Sequence, residues 1–106
     1  MSEPMLVLTT VPNSETAATL ATSLVEQKLA ACVNIAGPST SVYQWQGRTE
    51  QAQEILLTIK TTRAAYPALE QAIVQRHPYD VPEVIGLPIT AGLNDYLHWI
   101  DECIQS

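Results

Sequence analysis

The sequence lacks phenylalanine and is poor in glycine, with none of the former and four of the latter among 106 residues. Without phenylalanine, a hydrophobic core must be built from Leu, Ile, Val and Ala, and the two Trp and four Tyr are placed individually. Few glycines leave no phosphate-cradling loop, and neither Gly-x-Ser-x-Gly nor His-Glu-x-x-His occurs. No nucleophile is paired with a base, so we expect no enzyme.

Basic residues are also scarce. The chain has 5 Lys and Arg against 11 Asp and Glu, for a net charge of −6. Nucleic acid and anionic membranes bind clustered basic residues, so neither is expected as a partner. No apolar run approaches the roughly 20 residues of a membrane span, and the N-terminus has no basic region, which predicts a cytoplasmic protein.

The chain has only two cysteines and two histidines. Cys32 and Cys103 do not form a Cys-x-x-Cys motif, which excludes a disulfide framework and a zinc ribbon. Both are expected to be buried structural thiols. His98 lies on a predicted helix and is expected at the surface, which leaves His77 for metal chemistry.

Hydrophobic residues make up 46% of the chain and charged residues only 15%. A chain of this length predicts one domain over residues 1–106. The low charge fraction leaves little polar material for the surface of so small a particle, so some apolar surface is expected to be buried in an oligomer.

The hydrophobic periodicity predicts the order βαββαβα. The predicted elements are a strand at 5–11, a helix from Asn13 or Ser14, two arms of a long hairpin meeting near Gly47, a helix from about Arg63, a strand at 83–89 and a helix from Gly92 or Asn94. Gly37 and Pro38 predict a bend or bulge in the first arm. The fold class is therefore α+β: a ferredoxin-like βαββαβ unit with a C-terminal helix and an antiparallel sheet covered by helices on one face.

A sheet covered on one face leaves the other to solvent or to a neighbour. Tyr43, Trp45 and Leu56 are too hydrophobic for open solvent, so they are candidate interface residues. Glu50 and Glu54 could share a strand face of the hairpin, where a solvated edge is expected.

The segment from His77 to Glu83, His-Pro-Tyr-Asp-Val-Pro-Glu, carries an imidazole, a phenol and two carboxylates between two prolines. One interpretation is a structural connector in which His77 ends the preceding helix, since the residue before a proline avoids helical geometry. The other makes His77 a ligand for copper or zinc, with further ligands from elsewhere in the fold or from another subunit.

Five segments in order resemble the CutA family of divalent-ion-tolerance proteins. They are Lys28-Leu-Ala-Ala-Cys-Val-Asn34, Ser41-Val-Tyr-Gln-Trp-Gln-Gly47, the strand from Glu54 to Thr61, the His77 to Glu83 loop and the stretch from Gly92 to Trp99. The resemblance implies a homotrimer like that of the PII signalling proteins, with long hairpins joining sheets between subunits. It also implies a role in tolerance of copper and other divalent cations, without catalysis.

The resemblance implies that some bacterial members bind copper through a cysteine in the first strand and two consecutive histidines. Here those positions hold Thr9 and Arg76, which leaves His77 alone. We therefore expect weak binding of Cu(II) or another divalent cation and no obligatory cofactor.

Two alternatives of other classes stay open. The first is a PII-like sensing trimer with ligand clefts between subunits, lined by Lys60, Tyr79 and Glu83. The second is a scaffolding trimer without a ligand.

Overall fold

The computed structural model describes residues 2–104 and contains the predicted order of elements. The elements are β1 (Pro4–Val11), α1 (Ser14–Glu26), β2 (Cys32–Trp45), β3 (Arg48–Thr62), α2 (Tyr66–Arg76), β4 (Val84–Pro88) and α3 (Asn94–Cys103). The strands form one antiparallel sheet in the order β2-β3-β1-β4. This order confirms the ferredoxin-like arrangement, with β1 and β3 at its centre.

The core lies between α1, α2 and one face of the sheet. On β1 and β3 every second residue is buried there, because side chains alternate between the two faces of a strand. The register pairs Val7 with Ile59 and Val11 with Ile55. The cluster contains Val7, Val11, Ala17, Leu20, Ala21, Leu24, Ala30, Ile55, Leu57, Ile59, Leu69, Ala72 and Ile73.

The two helices of this layer begin and end where local chemistry requires. Asn13 caps α1, since its side-chain oxygen accepts a hydrogen bond from the Thr16 amide at 2.8 Å. Pro67 lies in the first turn of α2, where no amide is needed. Pro78 follows the end of α2, and His77 is extended, with φ −84° and ψ 135°.

The hairpin of β2 and β3 contains the predicted irregularity. Ala36 is opposite Leu56, but Ser39 is opposite Glu54, so β2 has one residue more than β3 between these pairs. Gly37 occupies the bulge with φ +149°, and a Cβ there would lie 3.1 Å from the carbonyl oxygen of Glu54. Both facts favour glycine at this position.

The extra residue decides which side chains share a face. Directly opposite residues of an antiparallel pair project to the same side. Tyr43 is opposite Glu50 and Trp45 is opposite Arg48, which places both aromatic residues on the face of Leu56, away from α1 and α2. We call this face of the sheet the open face.

The hairpin makes the molecule elongated. Its extents are 44 × 25 × 22 Å and its radius of gyration is 14.2 Å, whereas a compact chain of this length has about 13 Å. α3 lies at one end of the sheet, where Ile100 and Ile104 pack against Ala31 and Ala65. Within residues 2–104 no helix is long and apolar enough to cross a membrane.

Candidate functional site

The loop at residues 77–83 is tied to the end of β1 by its histidine. The Nε2 atom of His77 lies 2.7 Å from the carbonyl oxygen of Thr10, and Nδ1 lies 3.2 Å from the amide nitrogen of Tyr79. The rings of His77 and Tyr79 are 4.8 Å apart between centroids and are tilted by 51°. The imidazole therefore orders both the start of the loop and its attachment to the sheet.

These contacts define the hydrogen positions on the ring. A carbonyl oxygen can only accept and an amide N–H can only donate. Nε2 must then carry the hydrogen and donate to Thr10, while the Nδ1 lone pair accepts from Tyr79. A metal ion could use Nδ1 only by displacing the Tyr79 amide, so both ring nitrogens of His77 are engaged in structural contacts.

Tyr79 reaches from the loop to the hairpin. Its hydroxyl donates to Oε2 of Glu54 at 2.8 Å, and the Glu54 residue is only 7% exposed. Partial burial, the hydrogen bond to Glu54, the charge of Glu54 and the nearby Tyr43 together raise the pKa of Tyr79 to about 12. Tyr79 is therefore a neutral hydrogen-bond donor over the whole physiological range.

The sequence interpretation missed this role of Glu54. It expected a solvated hairpin edge at Glu50 and Glu54, and that expectation is wrong for Glu54, which is buried. Its neighbour Ile55 projects to the opposite face of the strand, so the burial of Ile55 in the core gave no signal for Glu54. The loop from α2 covers the carboxylate, a contact 25 residues apart in sequence that strand patterning does not contain.

Between the loop and the hairpin lies a groove of about 840 Å³. Its lining contains three carboxylates, three aromatic rings and no Lys, Arg or His side chain. We call it the acidic groove. It is lined by Thr10, Ser41, Val42, Tyr43, Gln44, Trp45, Glu54, Pro78, Tyr79, Asp80, Val81, Pro82 and Glu83.

The predicted site residues thus fall into separate places. Tyr79 and Glu83, predicted to line a ligand cleft, share the acidic groove with Tyr43 and Trp45, predicted for a subunit interface. Lys60 does not line this groove.

Lys60 lies opposite Cys32 near the other end of β3. Its ammonium group donates to the side chain of Asn34 and lies 3.8 Å from the Cys32 thiol. Lys60 is six positions along β3 from Glu54, a distance of about 20 Å. Leu56 is half-buried on the open face and also lies outside the groove lining. Cys32 and Cys103 are half-buried, so the expectation of full burial is wrong.

The metal-ligating potential of a single chain is small. Within residues 2–104, no three His, Cys, Asp or Glu side chains are arranged so that they could hold one metal ion. Thr9, at the position where the resemblance implies a cysteine in copper-binding members, is fully buried, and its hydroxyl has no hydrogen-bond partner in this part of the chain. His77 therefore has no ready-made set of co-ligands within its own described chain.

Comparisons with known proteins place this chain in a family. A sequence model described as CutA1 divalent ion tolerance protein matches residues 5–103. The divalent-cation tolerance protein CutA of Thermus thermophilus is 50% identical over 97 residues, which are 92% of this chain and 94% of that protein. The protein CutA of Mus musculus is 43% identical over 97 residues, but the match spans only 55% of the mouse protein.

Solved structures give the same result. CutA1 from Oryza sativa has a TM-score of 0.95 and 43% identity, covering 98% of this chain and 95% of that one. The periplasmic divalent cation tolerance protein CutA from Archaeoglobus fulgidus has a TM-score of 0.92 and 35% identity, covering 96% of this chain and 99% of that one. Sequence and structure therefore agree on one family.

Proposed function

Since the chain belongs to the CutA1 family of divalent ion tolerance proteins, we propose that it acts in this tolerance by binding a divalent cation weakly at His77. In this proposal it works as a cytoplasmic homotrimer and catalyses no reaction. The observation that carries the proposal is the family match over residues 5–103. The PII-like sensing role stays a prediction, since no comparison bears on it.

The chemistry of the loop supports weak rather than tight binding. An imidazole nitrogen suits Cu(II), which also binds such nitrogens more strongly than Zn(II) does. Before Nδ1 of His77 can bind a metal ion, it must lose its hydrogen bond from the Tyr79 amide. That loss costs about 1 kcal/mol for a neutral hydrogen bond. Asp80 and Glu83 follow on the same loop, and the net charge of −6 attracts cations. Further ligands would come from another subunit.

Calorimetric titration with Cu(II) and Zn(II) tests the role of His77. The substitution His77→Asn removes the imidazole but keeps an oxygen that can accept from the Tyr79 amide. We expect it to abolish the weak Cu(II) binding of the wild type. The matched control is His98→Asn, which removes the other histidine, exposed on α3, and should leave binding unchanged. Equal binding by wild type and His77→Asn would remove His77 from the metal role.

The apolar surface supports the trimer. On the open face and β4, Trp45, Ile85 and Leu87 are 43%, 50% and 43% exposed. Such side chains at the surface of a small elongated molecule favour burial against another subunit. The predicted interface residues Tyr43, Trp45 and Leu56 lie on this face.

Sedimentation equilibrium at micromolar concentration tests the trimer. We expect a species of about three times the chain mass of 11.6 kDa. Leu87→Glu should shift the equilibrium toward monomer, because it buries an unpaired charge in the interface. Val74→Glu places the same charge on an exposed position of α2, away from the open face, and should not. A wild type that sediments as a single chain would refute the trimer.

A further inference from the structure

The open face carries two charges of opposite sign that have no ionic partner in their own chain. Glu54 is 7% exposed, and within residues 2–104 its carboxylate has one hydrogen-bond partner, the neutral Tyr79 hydroxyl, and no ion-pair partner. Lys60 is half-buried, and in this part of the chain its ammonium group contacts the side chains of Asn34 and Cys32 but no carboxylate. Burying a charge is costly unless an opposite charge compensates it, so each group lacks part of its compensation.

The two charges cannot pair within one chain. Side chains alternate along β3, so Glu54 and Lys60 project to the same open face, on either side of Leu56. The six positions between them span about 20 Å, whereas an ion pair needs nitrogen and oxygen within about 4 Å. Leu56 is one of the predicted interface residues, so the two charges flank apolar surface that another subunit is expected to cover.

The symmetry of a ring limits what the neighbouring subunit can present. A closed trimer has head-to-tail contacts, in which one patch of a subunit meets a different patch of the next. A face with an unpaired carboxylate at one end and an unpaired ammonium group at the other is complementary to a second copy of itself in this arrangement. An apolar or acidic patch against the acidic groove would leave Glu54 buried without a cation.

The other basic residues fit the groove less well. Arg48 is on the open face but is exposed near the hairpin turn, where water solvates its charge. Arg63 lies 3.8 Å from a carboxylate oxygen of Glu3. Lys28 and Arg76 lie at the ends of α1 and α2, the helices that cover the other face of the sheet. The half-buried lysine of the open face is therefore the basic group that most needs a carboxylate.

We propose that the acidic groove of each subunit receives the partner subunit's Lys60, whose ammonium group pairs with Glu54. The pairing rests on the trimer of the proposed function, in which the groove is an interface rather than an open ligand site. Tyr43 and Trp45 line the groove, so covering them excludes water from the pair, and their rings attract an ammonium group. Because Glu54 is already desolvated in the single chain, pairing it costs less than burying two exposed ions.

A double-mutant cycle in the native assembly tests the pairing by urea unfolding at one protein concentration. Glu54→Gln removes the negative charge and keeps an acceptor for the Tyr79 hydroxyl, and Lys60→Met removes the positive charge and keeps an apolar stem. Each single variant should unfold at a lower urea concentration than the wild type. The double variant should unfold close to the less stable single variant, with a coupling of about fivefold or more in the unfolding equilibrium constant per subunit. Additive shifts would overturn the proposal, because residues about 20 Å apart in one chain act independently unless they meet across an interface.

Arg48→Met is the matched control, because it removes the other cation of the open face at the same six-position separation from Glu54. Its shift should add to that of Glu54→Gln. If Arg48 shows the coupling and Lys60 does not, the hairpin tip enters the groove and the assignment to Lys60 is wrong. Lys60→Arg keeps the charge and should keep more of the wild-type stability than Lys60→Met. Equal losses in these two variants would also overturn the proposal, since the charge would then not be what matters.

Sedimentation equilibrium of the wild type separates the pairing from the trimer itself. A wild type that sediments as single chains would refute the trimer and the pairing together. A wild-type trimer in which Glu54 and Lys60 are additive would refute the pairing alone. A wild-type trimer with coupling between these two residues, and none with Arg48, supports both.

Discussion

The unpartnered hydroxyl of Thr9 leads to a prediction with a definite sign. Thr9 is fully buried in the central strand β1, between Leu57 of β3 and Val84 of β4, and its Oγ1 has no hydrogen-bond partner within residues 2–104. A buried hydroxyl without a partner costs about 1–3 kcal/mol. Thr9→Val replaces the hydroxyl by a methyl group of similar shape and keeps a β-branched residue in the strand. We therefore expect the variant to be more stable by about 1–2 kcal/mol.

Thr61→Val is the matched control, with the opposite sign expected. Thr61 is equally buried in the neighbouring strand β3, but its Oγ1 donates to the carbonyl oxygen of Leu29 at 2.8 Å. Removing the hydroxyl leaves that carbonyl without this donor, so the substitution should destabilise the protein by about 1–2 kcal/mol. The same chemical change in adjacent strands should thus move the free energy of unfolding in two directions.

Urea denaturation followed by circular dichroism measures both changes. All variants are compared at one protein concentration, because association adds a concentration-dependent contribution to stability. For 106 residues, 1 kcal/mol corresponds to about 4–5 °C in Tm, from an unfolding entropy of about 2.1 cal/mol/K per residue. If Thr9→Val is less stable than wild type, the Thr9 hydroxyl has a partner and the reasoning is refuted.

Two further predictions concern Tyr79 and the cap of α1. Since the folded-state pKa of Tyr79 is about 12 against an ordinary 10.0, its contribution to stability is complete below pH 10 and is lost as the pH rises toward 12. In an ultraviolet titration of the folded protein, Glu54→Gln should lower the pKa of Tyr79, because the charge of Glu54 is removed. The pKa should fall only partway toward 10, because the burial of Tyr79 remains. An unchanged titration would contradict the contact between Tyr79 and Glu54. Asn13→Ala should destabilise the protein by about 1 kcal/mol in urea denaturation, because the Thr16 amide loses its acceptor, and an unchanged midpoint would show that this cap contributes little.

The order of elements could be predicted because each has a local signal. Asn13 marks the start of α1, Pro78 follows the end of α2, and Gly37 with Pro38 marks the bulge. The sequence predicts the ends of helices less well. The hydrophobic periodicity of α1 continues to Leu29, whereas the helix ends at Glu26 and Lys28 has a positive φ. No local pattern distinguishes a last helical turn from a chain that reverses to start a strand.

The site was predicted only where one segment carries it. The loop at 77–83 was recognised from its own residues, and Tyr43 and Trp45 were placed correctly on one face. The pairing of Tyr79 with Glu54 depends on the tertiary fold, as does the distance of Lys60 from the acidic groove. Such contacts join separate elements, and period and propensity describe one element at a time.

The bulge in β2 acts as a phase shift in the sequence. Even-numbered residues such as Cys32 and Asn34 face the open side before it, and odd-numbered residues such as Tyr43 and Trp45 do so after it. A strand with the same residues but without the bulge would alternate strictly, and its outer half would be turned over. The two aromatic residues would then project from the reverse side of the hairpin, and the acidic groove would lose a wall without any change in its other residues. One extra residue in a 14-residue strand thus decides which face of the sheet carries Tyr43 and Trp45.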